Sequence, residues 1–311
     1  MEYVGIQTQQ SRNNMRSLLL LFLFPCVVTV LTFVFLYVFY YFLFTDEYST
    51  NSLPIVFSWF VEVIPFVLGG VAIWFFIAFF WNTRIISKAT NSQTLERKEN
   101  KRVYNLVENL CMAQGMPMPK VNVIEDPSLN AFASGINDRS YTVTLTRGII
   151  NKLDDEELEG VIAHELAHIR NRDVRLLIVS IVFVGIFTMI MLTALHVAPR
   201  VRGKNSGGII LLLYALAAIA GIGTLCSTLL KFTISRKREY LADASAAEMT
   251  KKPQALANAL RKISTNPHVA SVSRDDVAQL FIEHSAAGKK KTSMFATHPP
   301  IENRIKVLEQ F

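Results

Sequence analysis

Charged residues are scarce in this chain of 311 residues: Asp, Glu, Lys and Arg make up 18% of the sequence, and hydrophobic residues make up 51%. Ordinary soluble domains carry about 25% charged residues. The deficit is concentrated in long uncharged runs, so the composition predicts membrane spans rather than one large soluble core. A cleavable signal peptide is not evident, because the first apolar run is much longer than a signal-peptide core. We expect that run to be a retained anchor.

Cysteine is also scarce. The three cysteines, Cys26, Cys111 and Cys226, lie far apart and form no Cys-x-x-Cys pair. This spacing excludes a disulfide framework and a metal site built from thiolates. The chain also lacks a basic stripe interleaved with aromatic residues, the pattern expected for nucleic-acid binding. The net charge of +7 comes from Lys and Arg that mostly flank the apolar runs, so we expect no nucleic-acid partner.

Four apolar segments stand out, and each exceeds the roughly 20 residues that a helix needs to cross a bilayer core. They occupy residues 18–44, 54–81, 176–198 and 209–230. The sequence therefore predicts a multi-span membrane protein with the lipid bilayer as its surroundings.

Basic residues at the ends of these segments predict the orientation of the chain. Arg12 and Arg16 precede the first segment, and Arg84 and Lys88 follow the second. Because positive charge is enriched on the cytoplasmic side, the N-terminus and the region after Arg84 are predicted to face the cytoplasm. The connection at 199–208 is also basic, although two full crossings would place it outside. The sequence therefore leaves open whether the last two segments cross the bilayer completely.

The polar region between the two pairs of segments has the pattern of a small mixed unit of helices and strands. In the second arm of a predicted hairpin, apolar residues alternate with threonines, which is the period of a half-buried strand. The C-terminal tail, residues 235–311, is predicted to be mainly helical, with a loop at 287–291. In the polar region we predict a helix at 96–113, a strand at 121–125, hairpin arms at 130–136 and 140–146, and a helix that begins near Leu153.

The motif His164-Glu165-Leu166-Ala167-His168 indicates metal chemistry. On a helix, residues four apart share one face, which lets two imidazoles bind one tetrahedral zinc ion. Glu165 lies about 100° further round the helix, beside the metal, where a base is needed to take a proton from water. A solvated helix that happens to carry two histidines is the alternative. The apolar neighbours of the motif argue against it, because a buried histidine pair beside a glutamate needs a charge partner.

A catalytic zinc ion normally has three protein ligands, so a third is needed. A histidine six residues after His168 is excluded, because Val174 occupies that position. Glu239 is the candidate third ligand, and Asp243, one helical turn later, is the candidate acceptor for the free N–H of a ligand imidazole. An ordinary solvated carboxylate pair among basic residues is the alternative.

Four motifs in this order resemble the HtpX-type membrane metalloproteases of the gluzincin superfamily, which also contains the CAAX prenyl proteases. The resemblance implies an α+β fold class, with a multi-span helical membrane protein and a zincin-like catalytic domain made of the histidine motif's helix and a small β-sheet. It also implies Glu239 as third ligand, one Zn²⁺ per chain, and proteolysis on the cytoplasmic side of the bacterial inner membrane, often under stress. The motifs are Asn130-Ala-Phe-Ala-Ser-Gly135, His164-Glu-Leu-Ala-His168, Ser235-Arg-Lys-Arg-Glu-Tyr-Leu-Ala-Asp243, and Thr297-His-Pro-Pro-Ile301 followed by Arg304.

Three further residues are candidates for a place beside the substrate. Asn130 opens a stretch that precedes a hairpin turn, so an edge strand there is a candidate partner for an extended peptide, with a plain structural hairpin as the alternative. His298 either donates to the oxyanion or packs structurally beside two prolines. Arg304 is a candidate support for that loop. The sequence indicates no role for residues 1–15.

We therefore predict a zinc endopeptidase that cleaves membrane or misfolded proteins in membrane protein quality control. Its predicted parts are a membrane anchor at 1–83, a metalloprotease domain at 84–173 and 235–311, and two apolar membrane segments at 174–234 inserted in that domain. One alternative is a CAAX-type prenyl protease, although that class carries more spans. Another is a non-catalytic membrane scaffold, although a structural zinc site normally has four protein ligands.

Overall fold

The computed structural model describes residues 6–43, 52–203, 206–232, 237–269, 280–282 and 299–311. His298 and the predicted loop at 287–291 therefore lie outside the described residues. The described helices and strands are α1 (Ile6–Leu43), α2 (Ser52–Thr90), β1 (Gln93–Thr94), α3 (Lys101–Ala113), β2 (Lys120–Ile124), β3 (Ala131–Ser134), β4 (Thr142–Thr146), α4 (Arg147–Lys152), α5 (Asp155–Arg170), α6 (Asp173–Val197), α7 (Ser206–Phe232), α8 (Lys237–Thr250), α9 (Pro253–Ile263) and α10 (Ile301–Leu308).

The chain divides into two compact units. The first comprises residues 1–16, 80–178 and 232–311, and the second comprises residues 17–79 and 179–231. The first unit contains the sheet and most of the polar helices, whereas the second consists of apolar helical segments. Each unit is drawn from separate parts of the sequence, so long helices such as α1 and α6 begin in one unit and continue into the other.

Among the described residues, three helices are long and apolar enough to cross a membrane. These stretches are Ser11–Tyr41 in α1, Ser52–Trp81 in α2 and Gly207–Thr228 in α7. Large aromatic side chains point outward from them: Phe22 is 73% exposed and Phe66 is 81% exposed. Water would make such exposure unfavourable, whereas lipid tails accommodate it.

The third predicted segment, residues 176–198, is helical. It lies in α6, where the apolar part of the described chain is Val184–Arg200. The first turns of α6 belong to the unit that contains the sheet, and Val174 and Ile178 are buried there. Part of the apolar character that the sequence shows in this segment therefore serves a protein core.

The sheet has four strands in the order β1-β2-β4-β3. The predicted hairpin is confirmed: β3 and β4 pair antiparallel, with Ala131 opposite Leu145. Its turn is closed by Ser140, whose backbone N–H donates to the carbonyl of Asn137. The parallel pairing of β2 with β4 was not predicted. The order leaves β3 at one edge of the described sheet.

Helix α3 begins later than the sequence predicted, at Lys101 instead of position 96. The reason is local: the Asn100 side chain accepts a hydrogen bond from the Val103 N–H and caps the helix. Arg102 then donates to the carbonyls of Ile150 and Leu153 and so fixes α3 to the segment that leads into α5.

Helix α5 is the central element of the first unit and is enclosed on most sides. It packs against α3, α8, α9 and β3. Leu158, Val161, Ile162 and Leu166 are fully buried along it. Such enclosure explains why the histidine motif lacks the polar outer face of a surface helix.

The N-terminus of α5 is held by a capping box. The Asp154 carboxylate accepts from the Glu157 N–H at 2.9 Å, and the Glu157 carboxylate accepts from the Asp154 N–H at 3.1 Å. The Glu157 carboxylate also accepts a hydrogen bond from Lys262 Nζ of α9 at 2.6 Å. Two orphan N–H groups are thus satisfied, and acidic residues lie at the end of the helix where its dipole favours them.

Replacing Asp154 tests this cap. We expect Asp154→Ala to lower the free energy of unfolding by about 1 kcal/mol, because the cap acceptor is lost. Asp154→Asn keeps an acceptor oxygen and serves as the matched control, with little change expected. The midpoint of thermal unfolding of the detergent-solubilised protein is the measurement. Equal midpoints for the two variants would contradict the capping role.

Candidate metal and active site

The two histidines of the motif and one glutamate of α8 converge at one point. His164 and His168 lie one turn apart on α5, and Glu239 lies in the first turn of α8, which packs against α5. One ligand atom from each of the three lies within 4.8 Å of the others. His164 and Glu239 are buried, and His168 is largely so. Helix packing thus brings Glu239 to two histidines that precede it by more than 70 positions in the sequence.

The spacing of these three donor atoms fits a tetrahedral ion. His164 Nε2 and His168 Nε2 are 3.2 Å apart, and each lies 3.6 Å from a carboxylate oxygen of Glu239. A tetrahedral zinc ion with ligands at its usual distances separates neighbouring donor atoms by about 3.3 Å. The donor set of two imidazoles and a carboxylate is also the one that catalytic zinc uses. The residues present therefore fit the ion.

The charges around the three donors favour a cation as well. With Glu165 ionised and both imidazoles neutral, as metal ligands must be, four carboxylates and two guanidiniums face this region, which leaves two negative charges. They belong to Glu165, Asp173, Glu239 and Asp243, and to Arg238 and Arg304. A divalent cation balances this excess, since buried charge is costly unless it is compensated.

Each imidazole is held from behind by a carboxylate. Asp243 Oδ1 lies 3.0 Å from His164 Nδ1, and Asp173 Oδ2 lies 3.2 Å from His168 Nδ1. Such contacts fix the proton on Nδ1 and direct the Nε2 lone pair to a metal. The sequence pointed to Asp243 but missed Asp173. Arg172 adopts a positive φ of 60°, and the sharp turn that places Asp173 beside His168 was not visible in the pattern.

Arg304 is fully buried and reaches this cluster from α10. Its Nε and Nη2 donate to the two oxygens of Asp243 at 2.9 and 2.7 Å, and its Nη1 donates to the carbonyl of Ile282 at 3.1 Å. Nη1 also lies 3.6 Å from Glu239 Oε2. Burial alone would raise the pKa of Asp243, but the charge of Arg304 and the hydrogen bonds from His164 and Arg304 hold it below its usual value.

Glu165 is buried beside the two imidazoles. Burial raises its pKa above the usual carboxyl value, and the nearby histidines oppose that shift. Burial lowers the pKa of His164, but its contacts with Asp243 and Glu239 outweigh this effect and raise the pKa to about 9. The raised pKa of Glu165 favours its neutral form, and the raised pKa of His164 favours its protonated form.

A small cavity adjoins the three donors and Glu165. Its volume is about 40 Å³, and Ala133, Leu280 and Ile282 contribute apolar walls. This space is enough for a water molecule next to Glu165. The segment 280–282 was not predicted as part of the site, because no sequence pattern marks it. Its Ile282 N–H donates to the carbonyl of Ala131 at 2.9 Å.

Asn130 lies at the start of β3 and not among the residues that line the cavity. Its Nδ2 donates to the carbonyl of Pro267 at 2.7 Å, and its Oδ1 accepts from the Ala131 N–H at 3.0 Å. Of the predicted site residues, the structure thus brings six together and leaves Asn130 at the edge strand. His298 lies outside the described residues. The six are His164, Glu165, His168, Glu239, Asp243 and Arg304.

A family model described as Peptidase family M48 matches residues 97–311, which is more than half of the chain. The chain belongs to peptidase family M48. It is therefore a metalloprotease, and the predicted resemblance to HtpX-type enzymes and the predicted α+β fold class are confirmed.

Several M48 relatives match over most of their length. A protein named Protease HtpX homolog from Bacteroides fragilis is 59% identical over 322 aligned positions that cover 100% of both chains. A Protease HtpX homolog from Dictyoglomus thermophilum is 40% identical over 257 positions, which cover 78% of this chain and 83% of the relative. With its apolar helices, this M48 protein is an integral membrane protein.

A distant likeness also exists to the crystal structure of S. mikatae Ste24p. The alignment has a TM-score of 0.43 and 20% sequence identity, and it covers 88% of this chain. This chain spans 61% of the length of that protein.

Removing Arg304 tests the buried ion pair in this M48 protein. We expect Arg304→Gln to lower the free energy of unfolding by about 3 kcal/mol or more, because Asp243 is left as an uncompensated buried charge. Arg261 pairs with Glu309 on the exposed side of α10 and provides the matched control. Arg261→Gln should cost less than about 1 kcal/mol. Thermal unfolding compares the two variants, and similar midpoints would contradict the buried-pair interpretation.

Proposed function

We propose that this protein is a zinc-dependent endopeptidase with His164, His168 and Glu239 as metal ligands and Glu165 as catalytic base. The observation that carries the proposal is the convergence of the three residues: the two Nε2 atoms are 3.2 Å apart, each lies 3.6 Å from a different oxygen of Glu239, and Glu165 lies beside them. When bound, zinc supplies Lewis-acid chemistry: it polarises a peptide carbonyl and makes water acidic enough to attack it at neutral pH.

Glu165 handles the proton in this proposal. It takes a proton from the attacking water and delivers it to the nitrogen of the leaving amine. Burial raises the pKa of Glu165. A carboxyl pKa that lies closer to neutral makes the group a stronger base in the first step and still lets it release the proton in the second. The cavity beside it has room for the water.

Asp243 and Asp173 act through the two imidazoles in this scheme. By accepting the Nδ1–H of His164 and of His168, they keep both Nε2 atoms available for the ion. Arg304 in turn neutralises Asp243 and holds the Ile282 carbonyl, so it positions residues without touching the substrate.

The substrate peptide is proposed to lie along β3. Thr146 N–H donates to the Asn130 carbonyl, so Asn130 and Thr146 form a hydrogen-bonded pair. Because such pairs alternate along an antiparallel ladder, Ala131 and Ala133 direct their backbone groups away from β4. Those of Ala131 are already bonded to Asn130 Oδ1 and to the Ile282 N–H, so a peptide would pair at Ala133. Ala133 also lines the cavity beside Glu165. An extended peptide can therefore add as a strand next to the base, with Asn130 holding the start of β3. His298 stays a predicted oxyanion donor from the sequence alone.

Metal content and cleavage together test the assignment. We expect Glu165→Gln to retain one zinc ion per chain and to lose cleavage, because the ligands remain and the base does not. His168→Ala and Glu239→Ala should lose both. Glu248→Ala, an exposed carboxylate on the same helix as Glu239, is the matched control and should change neither.

The assay needs two substrates because a CAAX-type prenyl protease shares this chemistry. One is an unfolded membrane protein, and the other is a prenylated peptide. Residual cleavage by purified Glu165→Gln would contradict the mechanism. Selective cleavage of the prenylated peptide by the wild type would favour the alternative, and no cleavage of either would favour a scaffold.

We further propose that the substrates are membrane or misfolded proteins, cleaved at the cytoplasmic face of the bacterial inner membrane. Only four residues separate His168 from Asp173, where the apolar helix α6 begins, so the site lies near chain that enters the membrane. The basic flanks of the first two segments support the cytoplasmic orientation. A role in membrane protein quality control under stress follows from the family resemblance alone.

Cysteine labelling tests this orientation. In a background without the three native cysteines, we expect a membrane-impermeant maleimide to label Asp46→Cys in intact spheroplasts. Lys98→Cys, at an exposed position after α2, should react only after lysis. The physical reason is the positive charge retained inside at Arg84 and Lys88. Labelling of Lys98→Cys in intact spheroplasts would reverse the predicted orientation.

A further inference from the structure

The N-terminal polar stretch, for which the sequence indicates no role, contributes a buried side chain to the catalytic unit. Asn13 lies in α1, five residues before the first predicted apolar segment, yet it is only 1% exposed. Residues 1–16 belong to the same compact unit as α5 and the start of α6. A fully buried amide needs hydrogen-bond partners, so its contacts reveal what it holds.

The Asn13 amide connects two residues just beyond α5. Its Nδ2 donates to the backbone carbonyl of Asn171 at 2.9 Å and to Asp173 Oδ1 at 2.7 Å. The other oxygen of Asp173 faces His168 Nδ1 at 3.2 Å. A continuous chain of polar contacts therefore leads from the N-terminal helix to an imidazole of the proposed metal site.

We propose that Asn13 is a positioning residue for the metal site: it fixes the carboxylate of Asp173 so that the carboxylate orients His168. The proposal rests on the proposed role of His168 as a metal ligand. Two polar contacts, from Asn13 to Asp173 and from Asp173 to His168, connect Asn13 to the proposed metal ligand.

The chemistry of an amide suits this task. Its NH₂ group carries two hydrogens, so one nitrogen can serve the carbonyl and the carboxylate at once. Arg238 Nη1 also approaches Asp173 Oδ1, but at 3.4 Å, which is long for a strong charge-assisted bond. Asn13 thus makes the shorter contact to that oxygen. Without it, the carboxylate can rotate, and its alignment with His168 Nδ1 weakens.

A purely structural role is the competing interpretation, in which Asn13 only ties α1 to the catalytic unit. The two roles differ in what they change. A tie affects unfolding, whereas a positioning residue also affects how strongly the site holds its ion and how fast the bound substrate reacts. Partners of metal-ligating residues typically change metal affinity or activity by about 10- to 100-fold when removed.

The test uses the full-length, zinc-loaded protein in detergent. Asn13→Leu removes both hydrogen bonds at nearly constant size, and Asn14→Leu is the matched control on the neighbouring, half-buried position. Zinc transfer to a chelator, the visible spectrum of the Co²⁺-substituted protein, kcat and KM, and thermal unfolding are measured for each. We expect Asn13→Leu to weaken zinc retention about tenfold, to alter the Co²⁺ spectrum and to lower kcat with little change in KM.

Asn14→Leu should match the wild type in zinc retention and in the Co²⁺ spectrum. Should Asn13→Leu fail to fold, Asn13→Ser is measured instead, because its shorter side chain cannot serve both acceptors and should shift zinc retention in the same direction. Wild-type retention and spectrum in the folded Asn13 variant, with only a lower unfolding midpoint, would overturn the inference. His168→Ala is included to distinguish failure of the Asn13 inference from failure of the proposed metal site. Wild-type zinc content in that variant would overturn the proposed site itself.

Discussion

The catalytic unit depends on the compensation of buried negative charge around one end of α5. Asp173, Glu239 and Asp243 are all buried there, close to Glu165. Carboxylates out of water are unfavourable unless positive groups and hydrogen bonds surround them. Arg304 reaches in from α10 to meet Asp243, and a divalent ion completes the balance in the proposed site. The packing of α8 against α5, and of α10 against α8, is therefore tied to the same charges that prepare the site for a metal.

This arrangement holds each imidazole between a carboxylate on one side and the metal position on the other. His164 faces Asp243, and His168 faces Asp173. The two carboxylates come from different parts of the chain, one from α8 and one from the start of α6. The carboxylate that faces His168 therefore lies at the start of a helix whose later turns belong to the apolar unit. Asn13 of α1, a second apolar helix, donates a hydrogen bond to the same carboxylate.

The elements that were predictable are those whose cause is local. The hairpin of β3 and β4 follows from an alternating pattern and turn residues, and the pairing of His164 with His168 follows from helical spacing alone. Helix α3 begins later than predicted because the Asn100 side chain accepts a hydrogen bond from the Val103 N–H and caps the helix there. The sequence left open whether the third apolar segment crosses the bilayer completely, and Ile178 near its start is buried in the unit that contains the sheet. Apolar sequence alone does not distinguish lipid from protein as the surrounding medium.

From the amino acids alone one can predict a metal site, a candidate base and the approximate apolar segments, since each depends on residue type and on spacing within one helix or run. Glu239 and Asp243 were identified as candidates in the same way, because they too are one turn apart. Only the folded chain shows that Asp173 faces His168, that Arg304 neutralises Asp243, that residues 280–282 border the cavity, and that Asn13 reaches Asp173 from 160 positions away. These contacts join residues with no shared local pattern, and they arise when helices pack and buried polar groups must find partners.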